Sequence, residues 1–356
     1  MDISFWKGRK VFLTGHTGFK GSWLSLWLES LGAQVWGYAL SPPTEPNLYQ
    51  VARVEDGIQH VIMDDLTNRE ALAQAIREQG SEIIIHMAAQ ALVRRSYHEP
   101  VETFATNVQG TVHLLDAARR ANTVKAVVVV TSDKCYENRE WPWGYRENDP
   151  MGGHDPYSAS KGCAELVVSA YRGAFLSESG VRVASARAGN VIGGGDWAED
   201  RLIPDIIRAF QSGKTVSLRS PNAIRPWQHV LEPLHGYLLL AERLVKEGAA
   251  YAQGWNFGPN AQDTRTVAEV TEKIAALWGD NARWSVAGGA SEHEAHQLRL
   301  YSGLAQSRLG WRHALSLDQA LAWTVQWYRA YQSGTGDMRA LTLEQIKRFA
   351  RSESLP

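Results

Sequence analysis

The sequence predicts an α/β protein, a doubly wound parallel sheet with a smaller C-terminal lobe that binds substrate. Three observations lead there. Apolar, β-branched runs of strand length alternate with segments of helical periodicity through the first half of the chain. A glycine-rich turn, Gly15, Gly18 and Gly21, follows the first of those runs without a break. Further on, an apolar run ends in Ser132, Asp133 and Lys134, and Tyr157 and Lys161 stand four apart on the next helical segment. Together these are the marks of a Rossmann-type domain.

"RKVFLTG" is short, apolar and β-branched, so it reads as the first strand, and it runs through "GHTGFKG" into "SWLSLWLESLG", where Trp23, Trp27 and Leu31 recur at helical spacing. "QVWGYAL" and "IQHVIMDDL" follow as the second and third strands. Thr67 and Glu70 have the spacing of a capping box opening the helix "NREALAQAIREQG", and "EIIIHMAA" is the fourth strand. A long helix starts near Pro100 and "KAVVVVTS" is the fifth strand. Asp155 with Pro156 supplies the N-cap and first-turn proline of a helix containing Tyr157, and "VRVASAR" is the sixth strand. Beyond it the alternation fades. "GNVIGGGDWAEDRLIP" reads as a functional loop leading into a helix, and Thr266 with Glu269 and Ser316 with Gln319 form two later capping boxes. Such alternation implies right-handed crossovers and a parallel sheet covered on both faces. The expected division is residues 1–187 for the dinucleotide-binding domain, with 229–257 returning to it, and 188–228 with 258–356 for the substrate-binding lobe.

Composition excludes several classes. With 44% hydrophobic and 21% charged residues in 356, the chain is an ordinary globular one. Its 37 basic residues against 38 acidic ones give no bulk charge to draw it to nucleic acid or an anionic membrane. No apolar run reaches the length of a membrane span, and "MDISFWKGRK" lacks the apolar middle of a secretory signal, so the cytoplasm is the expected compartment. Two cysteines, Cys135 and Cys163, make neither a disulfide framework nor a metal site, and Cys135 reads as a small packing residue.

The motifs point to a dinucleotide and an alcohol. Glycines after the first strand let the chain turn tightly and let a pyrophosphate reach the N–H groups of a helix start. In that loop His16 and Lys20 are placed to meet phosphate charge, Lys20 being the one more expected to face water. The second strand ends "GYALS" without the acid that grips a ribose, which leaves both NAD and NADP open. Asp65, with Leu66 at the end of the third strand, either accepts the adenine amino proton or starts a helix. The small residues of "HMAAQ" let a cofactor lie against backbone. In "YSASK", Tyr157 and Lys161 share a helix face, and a neighbouring cation is expected to lower the phenol from its ordinary pKa of ~10.

"TGHTGFKG", "HMAAQ", "TSDKCY" and "YSASK", in this order and at these distances, resemble the extended short-chain dehydrogenase/reductases that work on nucleotide sugars. "RAGNVIGGGDW", "RLIPDIIRAF", "IRPWQHV" and "GWNFGP" fall where that family places its sugar-nucleotide contacts. The resemblance implies NAD, held by Gly15, His16, Gly18, Phe19, Gly21, Asp65, Leu66, Ala88, Ala89, Tyr157 and Lys161. It makes Ser132 and Tyr157 the pair on the sugar's carbon-4 hydroxyl and Lys161 the partner of the nicotinamide ribose. Asn190 would touch the sugar or its phosphate, Arg225 the diphosphate, and Arg201 with Leu202 the nucleotide end. It also implies a homodimer or higher homo-oligomer, and 4,6-dehydration of a nucleotide-glucose, CDP-glucose by preference. Residue chemistry alone leaves the base open. In that reaction Asp133 delivers a proton to the departing carbon-6 oxygen, and Lys134 serves either as a base or as a fixed cation beside an enolate. An epimerase or reductase on the same fold, or a non-catalytic dinucleotide-binding protein, are the rival readings.

Overall fold

A computed structural model of the chain describes residues 1–260, 263–279, 282–287 and 297–352. Six of the strands anticipated above form and a seventh joins them: β1 (Lys10–Thr14), β2 (Gln34–Ala39), β3 (His60–Met63), β4 (Ile83–His86), β5 (Ala126–Val130), β6 (Arg182–Arg187) and β7 (Gly254–Asn256). They make one seven-stranded sheet in the order β7-β6-β5-β4-β1-β2-β3, every pairing parallel. The inner strands are almost wholly apolar, Ile83–Ile85 and Ala126–Val129, because helices cover both faces and no side of them meets water. Strand order reverses between β1 and β4, and the crevice beyond their carboxyl ends is where this topology places a ligand.

The helix after the glycine loop, Phe19–Ser30, is buried all round, which its sequence of Trp, Leu and Ser does not show by period. Its outer face is roofed by the C-terminal part of the chain: the Trp23 indole donates to Gly194 O at 3.0 Å and Trp27 packs edge-on against Phe349, 5.6 Å between centroids. Arg339, on the last helix Met338–Ser352, bonds both Glu29 oxygens at 2.6 Å.

Side-chain caps set several of the helix starts. Asp155 accepts the Ser158 N–H at 2.9 Å with Pro156 in the first turn, and both late capping boxes are formed. The expected box at Thr67 and Glu70 is not. Asp65 takes the Thr67 amide at 2.7 Å and its hydroxyl at 2.8 Å, so the helix starts one residue later with Asn68 as cap. The helix near Pro100 runs as Pro100–Phe104, a π turn over Ala105–Gln109, then Gly110–Arg120.

After β6 the chain leaves the sheet, forms the helix Leu202–Gln211, and returns through the helix Leu231–Glu247 to β7, which pairs beside β6 at Gly254↔Ser185. The lobe over the carboxyl edge holds short paired strands, Ile224–Pro226 with Thr264–Thr266 and Val216–Leu218 with Trp284–Val286. "GWNFGP" supplies β7 with its first three residues, Gly254–Asn256. There Asn256 is tied down by the Tyr136 hydroxyl at 2.7 Å and by Tyr145 O at 2.9 Å.

One buried ion pair fixes the helix Pro156–Tyr171 to the sheet. Glu165 receives Arg187 Nε at 2.9 Å and Nη2 at 2.8 Å, with both side chains 5% exposed. Thr131 and Ser185 each donate a hydroxyl to the same carboxylate at 2.6 Å. Burial alone would push the Glu165 carboxyl up, but Arg187 and the hydroxyls outweigh it and hold it below its ordinary 4.5. Glu165→Ala leaves Arg187 charged and unpaired in the core and should cost about 3–5 kcal/mol in a urea unfolding titration. Because the folded pKa is depressed, the wild-type contribution should be complete above the ordinary 4.5 and fade as pH falls below it, a trend absent from the variant.

Candidate active site

β5 ends at Val130 and the chain turns at once. Ser132 is extended and caps a single turn, Asp133–Cys135, by accepting the Lys134 N–H at 3.2 Å. The same hydroxyl donates to Asp133 Oδ1 at 3.0 Å. Asp133 is 2% exposed, and its Oδ2 has no hydrogen-bond partner among the described residues. Burial raises its pKa, against the opposing charges of Lys134 and Arg225 and the bond from Ser132. That carboxyl is therefore biased toward its protonated form. It fits only because Gly189 stands opposite, where a Cβ would come within 1.9 Å of Oδ2. Cys135 is buried among Tyr136, Tyr145, Leu298 and Leu300.

The helix Pro156–Tyr171 brings Tyr157 to this tip, where Ser132 and Asp133 both bear on its phenol. Ser132, Asp133 and Tyr157 thus meet in one place. The expected depression of the phenol does not occur in the chain by itself. Burial pushes Tyr157 up to about 12, and Lys161 points its Nζ at Val130 O, 3.5 Å away, with its own pKa lowered to about 8 by burial. A cation one turn away does not overcome that desolvation without direct contact.

The glycine loop crosses the end of β4 closely. At Gly15, with φ +77°, a Cβ would stand 2.7 Å from Ala88 N, and at Gly21 it would stand 2.0 Å from Gly15 O. The helix that follows has Gly18 as N-cap and no side-chain cap, so its first-turn amides suit an anion. Ala88 and Ala89 are partly buried beside this loop, and Ala88 N donates to Thr14 Oγ1 at 3.1 Å. Phe19 packs on the main core next to Gly193.

Two residues of the loop depart from expectation. His16 does not face phosphate: its ring is fully buried, lies against Gly37 and edge-on to Tyr49, and is kept neutral by burial with a pKa of about 4. Lys20 does not face water: its Nζ donates to the Tyr237 hydroxyl at 2.8 Å inside the cleft. Asp65 is engaged with Thr67 as described, and the Leu66 side chain is core, packed against Gly110.

From the lobe side, Asn190 has φ +32° and accepts the Gln228 N–H at 3.3 Å through its carbonyl. Arg201, ahead of the helix that Leu202 opens, bonds Asp196 at 2.9 Å and lies close enough to Tyr157 to stabilise its phenolate. Arg225, on the short strand Ile224–Pro226, exerts its charge on Asp133. Arg201 and Arg225 therefore both bear on the polar groups at the tip of β5.

Sequence reading missed Tyr237 and Asn107. Asn107 sits in the π turn, joined to Gln90 N at 2.9 Å and to Ser160 Oγ at 2.9 Å, so it links the segment after β4 to the helix Pro156–Tyr171. No local pattern marks either residue. Among the described residues no group of His, Cys, Asp or Glu could hold a metal ion.

A phenol, a hydroxyl and an amine beside a glycine loop define a dinucleotide-dependent oxidoreductase-type site on a Rossmann sheet. The chain belongs to the NAD dependent epimerase/dehydratase family, whose model matches residues 11–253. It is 54% identical over 354 residues to CDP-glucose 4,6-dehydratase of Salmonella typhimurium, covering 98% of each chain. It is 30% identical to dTDP-glucose 4,6-dehydratase of Streptomyces griseus, over 71% of this chain and 74% of that one. Its structure resembles the dTDP-glucose 4,6-dehydratase of Streptomyces venezuelae crystallised with NAD, with a TM-score of 0.77, 25% identity and coverage of 92% and 99%.

The close approach at Gly21 yields a direct expectation. Gly21→Ala would force the new Cβ into Gly15 O, 2.0 Å away, and should open the loop, weakening dinucleotide binding at least ~tenfold in a fluorescence titration while far-ultraviolet circular dichroism stays native.

Proposed function

We propose that this chain converts CDP-D-glucose to CDP-4-dehydro-6-deoxy-D-glucose and water, using NAD. The observation that carries the reading is that the strand tip at Ser132 has beside it both the phenol Tyr157 and the carboxyl Asp133. An enzyme confined to redox at carbon 4 has use for the first and none for a buried, proton-holding second. The likeness to CDP-glucose 4,6-dehydratase supports the choice of nucleotide.

Gly15, Gly18, Phe19 and Gly21 would hold the dinucleotide's pyrophosphate, Asp65 and Leu66 its adenine end, Ala88 and Ala89 its middle, and Lys161 its nicotinamide ribose. NAD, when bound, supplies the hydride chemistry, taking hydrogen from carbon 4 and returning it to carbon 6. Tyr157 accepts the carbon-4 hydroxyl proton while Ser132 holds that oxygen, with the positive charge of Arg201 favouring the phenolate. The resulting ketone acidifies the carbon-5 hydrogen. Lys134 takes the carbon-5 proton as the neutral amine and, as the ammonium so formed, stabilises the enolate; Asp133 gives its proton to the carbon-6 oxygen, which leaves as water, and Lys134 returns its proton to carbon 5 as hydride reaches carbon 6. Asn190, Arg201, Leu202 and Arg225 line the substrate side, Arg225 offering the planar fork that suits a diphosphate.

The enzyme would serve deoxysugar biosynthesis in the cytoplasm. It would also self-associate. Val101 (83% exposed), Leu166 (61%) and Phe175 (48%) leave apolar surface on the helices around β5 that a second copy can cover. Val101→Glu with Leu166→Glu should therefore convert a dimer to a monomer in light scattering, with an unchanged unfolding midpoint per chain.

Two outcomes test the chemistry. Deuterium placed at carbon 4 of the sugar should appear at carbon 6 of the product by NMR; a label returned to carbon 4 would mean an epimerase. Asp133→Asn should still reduce the cofactor with substrate but lose dehydration by about 10²–10⁴-fold, accumulating a 4-keto sugar that keeps its carbon-6 oxygen.

A further inference from the structure

Tyr157 stands in the first turn of its helix, where a backbone N–H has no carbonyl of the same helix to bond. The helix cap does not supply an acceptor for it. Both oxygens of Asp155 are taken by Ser158, one by its N–H at 2.9 Å and the other by its hydroxyl at 2.6 Å. The Tyr157 N–H donates instead to Ser96 Oγ at 3.1 Å, across 61 residues of chain. Ser96 is fully buried, and its own hydroxyl donates to Val93 O at 2.6 Å, which fixes the direction of its oxygen. The other end of the same residue is held as well: Ser160 Oγ donates to Tyr157 O at 2.7 Å and accepts Asn107 Nδ2 at 2.9 Å.

Ser96 lies on the short helix Val93–His98, which follows closely on Ala88 and Ala89. Gln90 fastens the two together. Its side chain accepts the Leu92 N–H at 2.6 Å and donates to Leu92 O at 3.0 Å, and its N–H donates to Asn107 at 2.9 Å. An unbroken line of hydrogen bonds thus runs from the segment beside the glycine loop to the backbone of the phenol.

We propose that Ser96 is a positioning residue for the oxidation at carbon 4: its hydroxyl fixes the backbone of Tyr157 against the segment beside the glycine loop, and so sets how the phenol meets the sugar. The inference rests on the reading that Tyr157 takes the carbon-4 hydroxyl proton. Removing the acceptor leaves a buried N–H unpaired, and the first turn relieves that only by shifting toward another partner or toward water. The phenol moves with the turn. A displacement of about 1 Å at a reacting group is enough to cost on the order of 10²-fold in rate. Ser96 Oγ bonds backbone atoms, Val93 O and Tyr157 N, so affinity for either ligand should change little.

The test mixes the full chain, loaded with NAD, with CDP-glucose in a single turnover read by the absorbance of the reduced nicotinamide, beside steady-state kinetics and a urea titration of each variant. Ser96→Ala removes the acceptor, and Ser96→Cys keeps nearly the same volume with a much weaker one. Either should slow cofactor reduction by about 10–100-fold. The KM for the sugar nucleotide and the dissociation constant of NAD should stay within about twofold of wild type. Ser96→Thr keeps the hydroxyl and should recover the rate to within about threefold. A part in stability alone would lower the unfolding midpoint and leave the rate per folded molecule unchanged; that result, in whichever of the first two variants folds, overturns the proposal. So does a loss that appears in KM and not in kcat, or a Thr variant as slow as the Ala one. Tyr157→Phe checks the reading beneath: cofactor reduction that survives it at the wild-type rate would sink the role of Tyr157 itself, whatever Ser96 does.

Discussion

The buried carboxylate of Glu165 is the constraint on which the rest of the site depends. It lies one turn beyond Lys161 on the helix that carries Tyr157, and it gathers Arg187 from β6, Ser185 from the same strand and Thr131 from the tip of β5. Thr131 is the residue before Ser132. One charged group thus sets the angle of the helix, the end of the strand and the distance between phenol and hydroxyl. A buried ion pair is poor evidence of net stability, because desolvating two charges consumes most of their attraction. Here its structural consequence is register, since it joins three elements whose polar tips must meet.

The tip itself is arranged by desolvation more than by attraction. Asp133, Tyr157, Lys161 and Lys20 are all shifted toward their uncharged forms, and in each case burial is the largest cause. Two acids with raised pKa values and two amines with lowered ones share a closed space. Groups in that state exchange protons with a ligand at small cost, because neither partner has to be stripped of water first. The chain after β6 contributes to the closure. Arg201 bears on the tip from a loop and Arg225 from a short strand, and Gly189 approaches Asp133 so closely that no side chain would fit between them.

Roofing of the first helix follows from the same economy of space. In an isolated Rossmann domain that helix would show one polar face. Here Trp23 and Trp27 are covered by Gly194, His235 and Phe349, so the helix is held on its outer face while Ala88 lies against the loop that precedes it. The path of the glycine loop is therefore fixed before any cofactor arrives.

Much of this was legible in the chain itself. Strand order and helix starts follow from β-branched runs, glycines and caps, which act between residues close in sequence, and the glycine loop, the Ser132 tip and the Tyr157–Lys161 pair inherit their places from those elements. The sequence could not say which way a side chain turns once desolvation competes with solvent. Lys20 reads as a surface amine until helix Leu231–Glu247 folds back to offer Tyr237, and His16 reads as a phosphate contact until Gly37 and Tyr49 enclose it. Thr67 reads as a cap until Asp65 claims it. The phenol of Tyr157 reads as acidified until its burial is counted. Local pattern determined where the functional groups stand along the backbone; only the tertiary structure, by removing water and bringing distant residues together, decided their orientation and their charge.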